Sequence, residues 1–87
     1  MIITIYSDAG HAWAKVKKQF LVKLGIAKDI SHYSYQRGDY AYLEEDCDLT
    51  TLCKALDANG ITYTFNEKVA YERPSKIRSY QLYKAEA

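Results

Sequence analysis

The side chains best suited to chemistry cluster at positions 8–13, directly after an apolar run. Asp8 and His11 lie three positions apart, with Gly10 between them and Trp13, the only tryptophan, close behind. A histidine oriented by a carboxylate is a pair that general acid–base catalysis uses. Ser7 is nearby, but it lacks the glycine frame of a nucleophile elbow. We therefore expect a shaped turn, in which Asp8 forms an Asx turn, Gly10 has a positive φ and His11 lies at the surface or packs on Trp13.

A second group of candidate ligands is the acidic segment EEDCD at residues 44–48. Glu45 or Asp46, together with Asp8 and His11, would suit a hard divalent metal or a small hydrolase site. The spacing fits no EF-hand, however, and acids are favoured at helix N-termini without any metal. The sequence therefore predicts no catalytic residue, no metal site and no cofactor, and the hydrolase or metal site remains a weaker alternative.

The composition describes one folded domain over residues 1–87. Of the 87 residues, 48% are hydrophobic and 26% are charged, and tyrosine occurs nine times. Tyrosine combines a large apolar ring with a hydroxyl group, so it suits half-buried sheet faces and interfaces. Two cysteines at this spacing indicate reduced thiols rather than a disulfide framework. The sequence shows no signal peptide and no membrane span, which predicts a cytoplasmic protein.

The charges are segregated along the chain although the net charge is only +1. Residues 1–43 carry six Lys or Arg against three acids, residues 44–66 carry one against five, and residues 67–87 carry five against three. A protein that binds duplex DNA usually has a larger basic excess. The pattern suits a charged protein partner instead.

Periodicity predicts the first elements. Ile2, Ile3 and Ile5 form a β-branched run that is typical of a strand covered on both sides. Residues 12–16 fit two alternatives, a short strand or the start of a helix that continues to Leu24. In both alternatives Gly25 ends that helix at the C′ position.

The second half of the chain gives clearer signals. Residues 31–36 and 40–44 flank a Gly38-Asp39 turn and predict a β-hairpin, so the RGD tripeptide at 37–39 is a turn rather than an integrin motif. Asp48 is the predicted N-cap of a helix that ends at Asn59-Gly60. Alternation over residues 61–66 predicts a half-buried strand, and residues 68–76 form a polar connection. Residues 77–83 fit a last edge strand or an ordered tail.

These elements predict an α+β fold, with a small, mostly antiparallel sheet and two helices packed on one face. The order is βαββαβ, as in ferredoxin-like folds, if residues 12–16 belong to the helix. It is ββαββαβ if residues 12–16 are a strand.

Aromatic and basic residues are the candidate binding surface. The lysines at 15, 17, 18 and 23 and the basic tail with Arg73 could contact phosphates beside exposed tyrosines, as in single-stranded nucleic-acid binding, or could form a solvated face. The full set of predicted surface residues is Asp8, His11, Trp13, Tyr33, Tyr35, Arg37, Tyr40, Tyr42, Lys76, Arg78 and Tyr80.

Three blocks, YSDAGHAW at 6–13, SYQRGDYAYLEEDCDLTTL at 34–52 and SKIRSYQLY at 75–83, together resemble a family of small, uncharacterised proteins of tailed bacteriophages and prophages. The family's first block commonly reads SDPGHGW, whereas Ala9 and Ala12 stand here in place of Pro and Gly. The resemblance implies no established activity.

The resemblance implies a setting in the host cytoplasm, where short phage accessory proteins often act by binding a host protein. We therefore expect a non-enzymatic binder of a host macromolecule, such as a defence or transcription component, using the 8–13 loop, the hairpin tyrosines and the basic tail. A nucleotide or single-stranded nucleic-acid binder is the alternative. The protein is expected to be a monomer or a homodimer.

Overall fold

A computed structural model describes residues 1–70 and 75–85. Within these residues the chain forms one six-stranded sheet and two α-helices. The elements in chain order are β1 (Ile2–Asp8), β2 (Ala12–Lys17), α1 (Lys18–Lys23), β3 (Tyr35–Arg37), β4 (Tyr40–Glu44), α2 (Leu49–Ala58), β5 (Thr64–Ala70) and β6 (Gln81–Leu82). Single 3₁₀ turns lie at Ala27–Asp29 and Lys76–Ser79.

The strand order is β5-β1-β2-β4-β3-β6. The pair β1–β5 is parallel and the other four pairs are antiparallel, so the predicted α+β class is confirmed with a mixed sheet. Residues 12–16 are a strand, because the turn after Asp8 returns the chain antiparallel to β1 with Ile5 opposite Ala14. The ββαββαβ alternative is therefore confirmed, with β6 added, and the ferredoxin-like order is wrong.

Both helices cover one face of the sheet. Leu21 of α1 and Leu52 and Leu56 of α2 are fully buried against the sheet residues Ile3, Ile5, Ala12, Ala14, Val16, Ala41 and Leu43. Burial of a Leu, Ile or Val side chain contributes about 1.5–3 kcal/mol each. This face holds the main hydrophobic core. Ile2 alternates with Ile3 along β1, so it points to the opposite face of the sheet, which carries neither helix, and it is 72% exposed. The prediction of a first strand covered on both sides is therefore wrong.

The helix-free face of the sheet carries aromatic rings. Trp13 and Tyr42 are buried there together with Ile77, which the C-terminal 3₁₀ turn places on this face. The partly buried rings around this cluster are Tyr6, Tyr35, Tyr40 and Tyr80. We call these residues, with the cations that lie over them, the tyrosine face.

Both helices end as their glycines predict. Gly25 and Gly60 have φ values of 76° and 67°, a region that residues with a Cβ rarely adopt. The N–H of Ile26 donates to the carbonyl of Leu21 at 3.0 Å, and the N–H of Ile61 donates to that of Leu56 at 2.9 Å. Both helices therefore end in Schellman motifs, after which the chain continues toward β3 and β5.

The predicted hairpin is confirmed. Tyr35 lies opposite Tyr42, and Arg37 lies opposite Tyr40, with Gly38-Asp39 as the turn. Period-two alternation places Ala41 and Leu43 in the main core and the two tyrosines of β4 on the tyrosine face.

The last predicted strands are shifted. The alternation at 61–66 predicts a strand from Ile61, but β5 begins at Thr64 and continues to Ala70, into the predicted connection. The Schellman end of α2 occupies Ile61, and pairing starts only where the N–H of Thr64 meets the Met1 carbonyl. As a sheet edge, β5 leaves Phe65 49% exposed and Val69 45% exposed. Arg73 and Pro74 lie outside the described residues.

Asp48 stands at the N-cap position of α2, but the predicted capping hydrogen bond is absent there. Its buried carboxylate instead accepts hydrogen bonds from the N–H of Ser31 at 3.0 Å, from the hydroxyl of Ser31 at 2.7 Å and from the hydroxyl of Ser34. Ser34 in turn accepts from the N–H of Glu44 at 2.9 Å. Asp48 therefore connects the segment before β3, through Ser34, with the end of β4. Its carboxylate accepts hydrogen bonds from residues that are distant in sequence instead of capping α2.

Asp48→Ala is expected to lower the free energy of unfolding by about 3 kcal/mol or more, since hydrogen bonds to a charged group contribute roughly 1.5–3 kcal/mol each. The exposed neighbour Glu45 supplies the control, and Glu45→Ala is expected to change it by less than about 0.5 kcal/mol. Urea unfolding followed by Trp13 fluorescence measures both. Equal stability of the two variants would contradict this role of Asp48.

Candidate functional site

The turn after β1 is built on the Asp8 carboxylate. Its Oδ1 accepts hydrogen bonds from the N–H of Gly10 at 2.9 Å and of His11 at 3.0 Å, which is the predicted Asx turn. The backbone of the turn is closed by the N–H of Asp8, which donates to the carbonyl of His11 at 2.9 Å. The 8–11 segment is thus a tight connection between β1 and β2.

Arg78 binds the same carboxylate from the C-terminal segment. Its Nε donates to Oδ2 of Asp8 at 2.6 Å and its Nη2 donates to Oδ1 at 2.8 Å. The N–H of Ser75 adds a hydrogen bond to Oδ2 at 2.9 Å. Arg78 first, and then these backbone donors, hold the pKa of Asp8 far below its usual range, and Asp8 raises the pKa of Arg78.

Asp8 is therefore the anchor of an ion pair rather than the carboxylate that orients His11. Both hydrogen bonds between the two residues use the backbone of His11, and its imidazole turns toward Glu44 instead. The Asp8–His11 acid–base pair considered for the weaker hydrolase alternative is therefore not formed. Five N–H donors occupy the two oxygens of the Asp8 carboxylate and leave no lone pair for the imidazole.

The predicted positive φ of Gly10 is wrong, and the absence of a side chain there has another consequence. Its φ is not positive, unlike that of three other glycines. A Cβ at this position would lie 2.9 Å from Nη2 of Arg78. Glycine therefore admits the guanidinium to the Asp8 carboxylate.

A groove of about 300 Å³ lies beside this ion pair. Its lining residues are His11, Trp13, Tyr33, Tyr35, Glu44, Asp46, Cys47 and Arg78. The Nδ1 of His11 lies 3.6 Å from Oε1 of Glu44, whose carboxylate is buried while the imidazole is exposed. The other oxygen of Glu44 accepts from the N–H of Cys47 at 3.0 Å. His11, Glu44 and Asp46 each offer a ligand atom, and these atoms lie within 4.8 Å of one another.

The thiol of Cys47 is held protonated in this groove. Partial desolvation raises its pKa, and its hydrogen bond to Glu44 and the negative charges of Asp46 and Asp48 raise it further. A protonated thiol is a poor nucleophile.

Cations lie over the rings of the tyrosine face. The Nζ of Lys15 is 4.3 Å from the ring centroid of Tyr40, and the Nζ of Lys68 is 5.9 Å from that of Tyr6. The guanidinium of Arg37 is 5.1 Å from the ring of Tyr80. Such cation–π contacts contribute about 0.5–1 kcal/mol at exposed sites and fix the position of the charge.

A further cation–π contact belongs to Arg78, whose guanidinium is 5.3 Å from the Trp13 ring. The Asp8–Arg78 pair therefore extends onto the buried tryptophan and links the turn to the tyrosine face.

The rings of the tyrosine face also pack on one another. The centroids of Tyr42 and Tyr80 are 5.1 Å apart, those of Trp13 and Tyr35 are 6.3 Å apart, and those of Tyr6 and Tyr42 are 6.5 Å apart. Burial, and next the neighbouring tyrosines, raise the pKa of Tyr42, so its hydroxyl stays protonated. The result is a continuous layer of tilted rings.

The structure places the predicted surface residues at different depths. Asp8, Trp13 and Tyr42 are buried and support the surface from below. The exposed or half-buried ones are His11, Tyr33, Tyr35, Arg37, Tyr40, Lys76, Arg78 and Tyr80. Lys76 lies on the C-terminal 3₁₀ turn and makes none of the cation–π contacts of the described residues.

Sequence reasoning missed Tyr6 and Lys68, and it included Glu44 only as a member of the acidic segment 44–48. The parity of β1 could have placed Tyr6 with Asp8, on the face opposite Ile3 and Ile5. Lys68 is found only through the parallel pairing of β5 with β1, which sets it beside Tyr6. Of the acids expected near His11, Asp46 is close, whereas Glu45 is exposed and not part of the cluster.

No family model, curated protein or solved structure matches this chain. In the described residues, none of the helices has the length and apolar character needed to span a membrane.

The Asp8–Arg78 pair predicts a specific pH dependence. Because the folded state depresses the pKa of Asp8, its stabilising contribution is present above the unfolded pKa of about 4 and is lost as the pH falls below it. Asp8→Asn is expected to be less stable than the wild type at pH 7, and the difference is expected to shrink toward pH 2. Urea unfolding at a series of pH values measures this.

The control is the exposed Asp39 of the hairpin turn, since Asp39→Asn is expected to keep the wild-type pH dependence. A constant difference between Asp8→Asn and the wild type from pH 7 to pH 2 would contradict the assigned ion pair.

Proposed function

We propose that this protein is a non-enzymatic binding module that docks on an acidic surface of another protein through its tyrosine face. In the setting that the phage resemblance implies, the partner is a host protein such as a component of defence or transcription. One observation carries the proposal. Lys15, Arg37 and Lys68 lie over tyrosine rings on the helix-free face, and none of them forms an ion pair with an acid of the described residues.

The residue types on this face suit a protein interface. Tyrosine and arginine are favoured anchors at such interfaces, because they combine contact area with directional hydrogen bonds. A cation already held over a ring loses less conformational freedom on binding than a free side chain does. The ring layer thus presents fixed positive charges to an acidic partner.

The acids near this face leave its charge balance positive. Arg78 neutralises the buried carboxylate of Asp8, and Glu44 and Asp46 lie at the end of the face, in the groove beside His11. The three cations of the ring layer therefore dominate the field above the central strands. Oppositely charged patches increase association rates and select partners.

Single-stranded nucleic acid or a nucleotide is the second candidate, since cations and aromatic rings on a sheet also bind such ligands. Two features favour the protein partner. Tyr42 is buried, and cations lie over Tyr6, Tyr40 and Tyr80, which leaves less ring surface for base stacking. The net charge of +1 is also small for a protein that binds phosphates.

Reversing the charges on the tyrosine face is expected to abolish partner binding. The test variant carries three substitutions on that face: Lys15→Glu, Arg37→Glu and Lys68→Glu. The matched control carries three at exposed lysines of the helices and the first 3₁₀ turn: Lys23→Glu, Lys28→Glu and Lys54→Glu. Both change the net charge equally, and circular dichroism verifies that both fold.

Wild type and control are expected to retain the same host protein from lysate and to form a complex of defined stoichiometry with it in native mass spectrometry. The test variant is expected to bind it at least about tenfold more weakly, a loss of about 1.4 kcal/mol. Equal binding by the two variants would contradict the proposal. Binding of a labelled single-stranded oligonucleotide that weakens steeply with salt, with no protein partner, would establish the second candidate instead.

A further inference from the structure

We propose that His11, Glu44 and Asp46 form a three-ligand site for a divalent transition metal ion such as Zn²⁺, with its open side in the groove. The three ligands lie outside the tyrosine face, although the groove shares Trp13 and Tyr35 with it, and the site does not depend on the proposed function. The fold brings the three ligands together from the turn between β1 and β2, which carries His11, from the end of β4, which carries Glu44, and from the segment after it, which carries Asp46.

The distances fit a small tetrahedral ion. Zn²⁺ lies about 2.0–2.2 Å from His nitrogen and carboxylate oxygen, so two of its ligand atoms are about 3.4 Å apart. The Nδ1 of His11 and the Oε1 of Glu44 are 3.6 Å apart, and Asp46 offers an atom within 4.8 Å of both. A small rotation of the exposed Asp46 side chain completes the triangle.

Glu44 is held in a ligating orientation. It is the last residue of β4 and lies opposite Trp13 in the sheet, so its backbone is fixed. Its Oε2 accepts from the N–H of Cys47, which leaves Oε1 directed toward His11. Hydrogen bonds of this kind to a ligating carboxylate are typical of metal sites.

A separate observation also points to a ligand in this groove. The indole Nε1–H of Trp13 is buried and has no hydrogen-bond partner among the described residues. Trp13 forms part of the groove wall, and its ring centroid lies 6.1 Å from that of His11. A buried N–H without an acceptor is unfavourable, so a ligand that brought an acceptor atom to this wall of the groove would be stabilised by it.

The donor set selects the class of metal. One imidazole and two carboxylates suit Zn²⁺ and neighbouring divalent ions, whereas Ca²⁺ takes six to eight oxygen ligands. Cys47 is not counted as a ligand, because the ligand atoms that lie within 4.8 Å of one another belong to His11, Glu44 and Asp46. Three protein ligands leave one position of a tetrahedral ion free within the groove, whose lining also includes Tyr33 and Tyr35.

The sole tryptophan makes this site measurable. Co²⁺ quenches a nearby indole, so untagged protein titrated with Co²⁺ is expected to show saturable loss of Trp13 fluorescence at one equivalent. Competition with Zn²⁺ is expected to restore the emission. His11→Gln and Asp46→Asn each remove one exposed ligand, and each is expected to weaken Co²⁺ binding by at least about tenfold.

The matched control is His32→Gln, because His32 is the other histidine and stacks on Tyr33 with ring centroids 4.7 Å apart. This variant is expected to bind Co²⁺ like the wild type. Wild-type binding by His11→Gln and Asp46→Asn, an equal loss in His32→Gln, or no saturable quenching would each overturn the site. Circular dichroism of each variant separates loss of a ligand from loss of the fold.

Discussion

The Asp8 carboxylate accepts hydrogen bonds from five N–H groups, and the helix-free side of the sheet depends on it. Two of these donors shape the turn into β2, and the others bring the C-terminal segment across from residue 75 onward. The bidentate contact to Arg78 and the hydrogen bond from Ser75 hold the 3₁₀ turn that carries Ile77 against the tyrosine face. A buried carboxylate is tolerated here because every lone pair has a donor.

The two faces of the sheet differ in what covers them, and the Asp8–Arg78 interaction lies on the face without helices. Helices and aliphatic side chains cover one face of the sheet, as in many small α+β folds. On the other face, Trp13, Tyr42 and Ile77 form a second, smaller core beneath half-exposed rings. Cations stand over this ring layer, and an acidic groove with His11 lies at the end where β1 and β4 finish. One small sheet therefore offers a docking surface and a separate candidate metal site.

Much of this arrangement could be predicted from local patterns. The hairpin, both helices and the two glycine ends follow from spacing and turn chemistry, which act over a few residues. The predictions that were wrong concern residues whose partners are distant in sequence. The position of Asp48 predicts an N-cap of α2, but Ser31 and Ser34 donate hydrogen bonds to its carboxylate instead. Asp8 suggests a partner for His11, but Arg78 competes for it from seventy positions away.

By itself, the sequence determined the α+β class, the hairpin register and which strand residues share a face, because side-chain periods of 2 and 3.6 residues are local properties. Only the tertiary structure decided that residues 12–16 pair with β1, that β5 runs parallel beside it, and that Glu44 rather than Asp8 faces His11. These outcomes depend on long-range hydrogen bonds and on competition between charged groups for one partner. A local sequence pattern does not show which of several distant charged groups will be the partner.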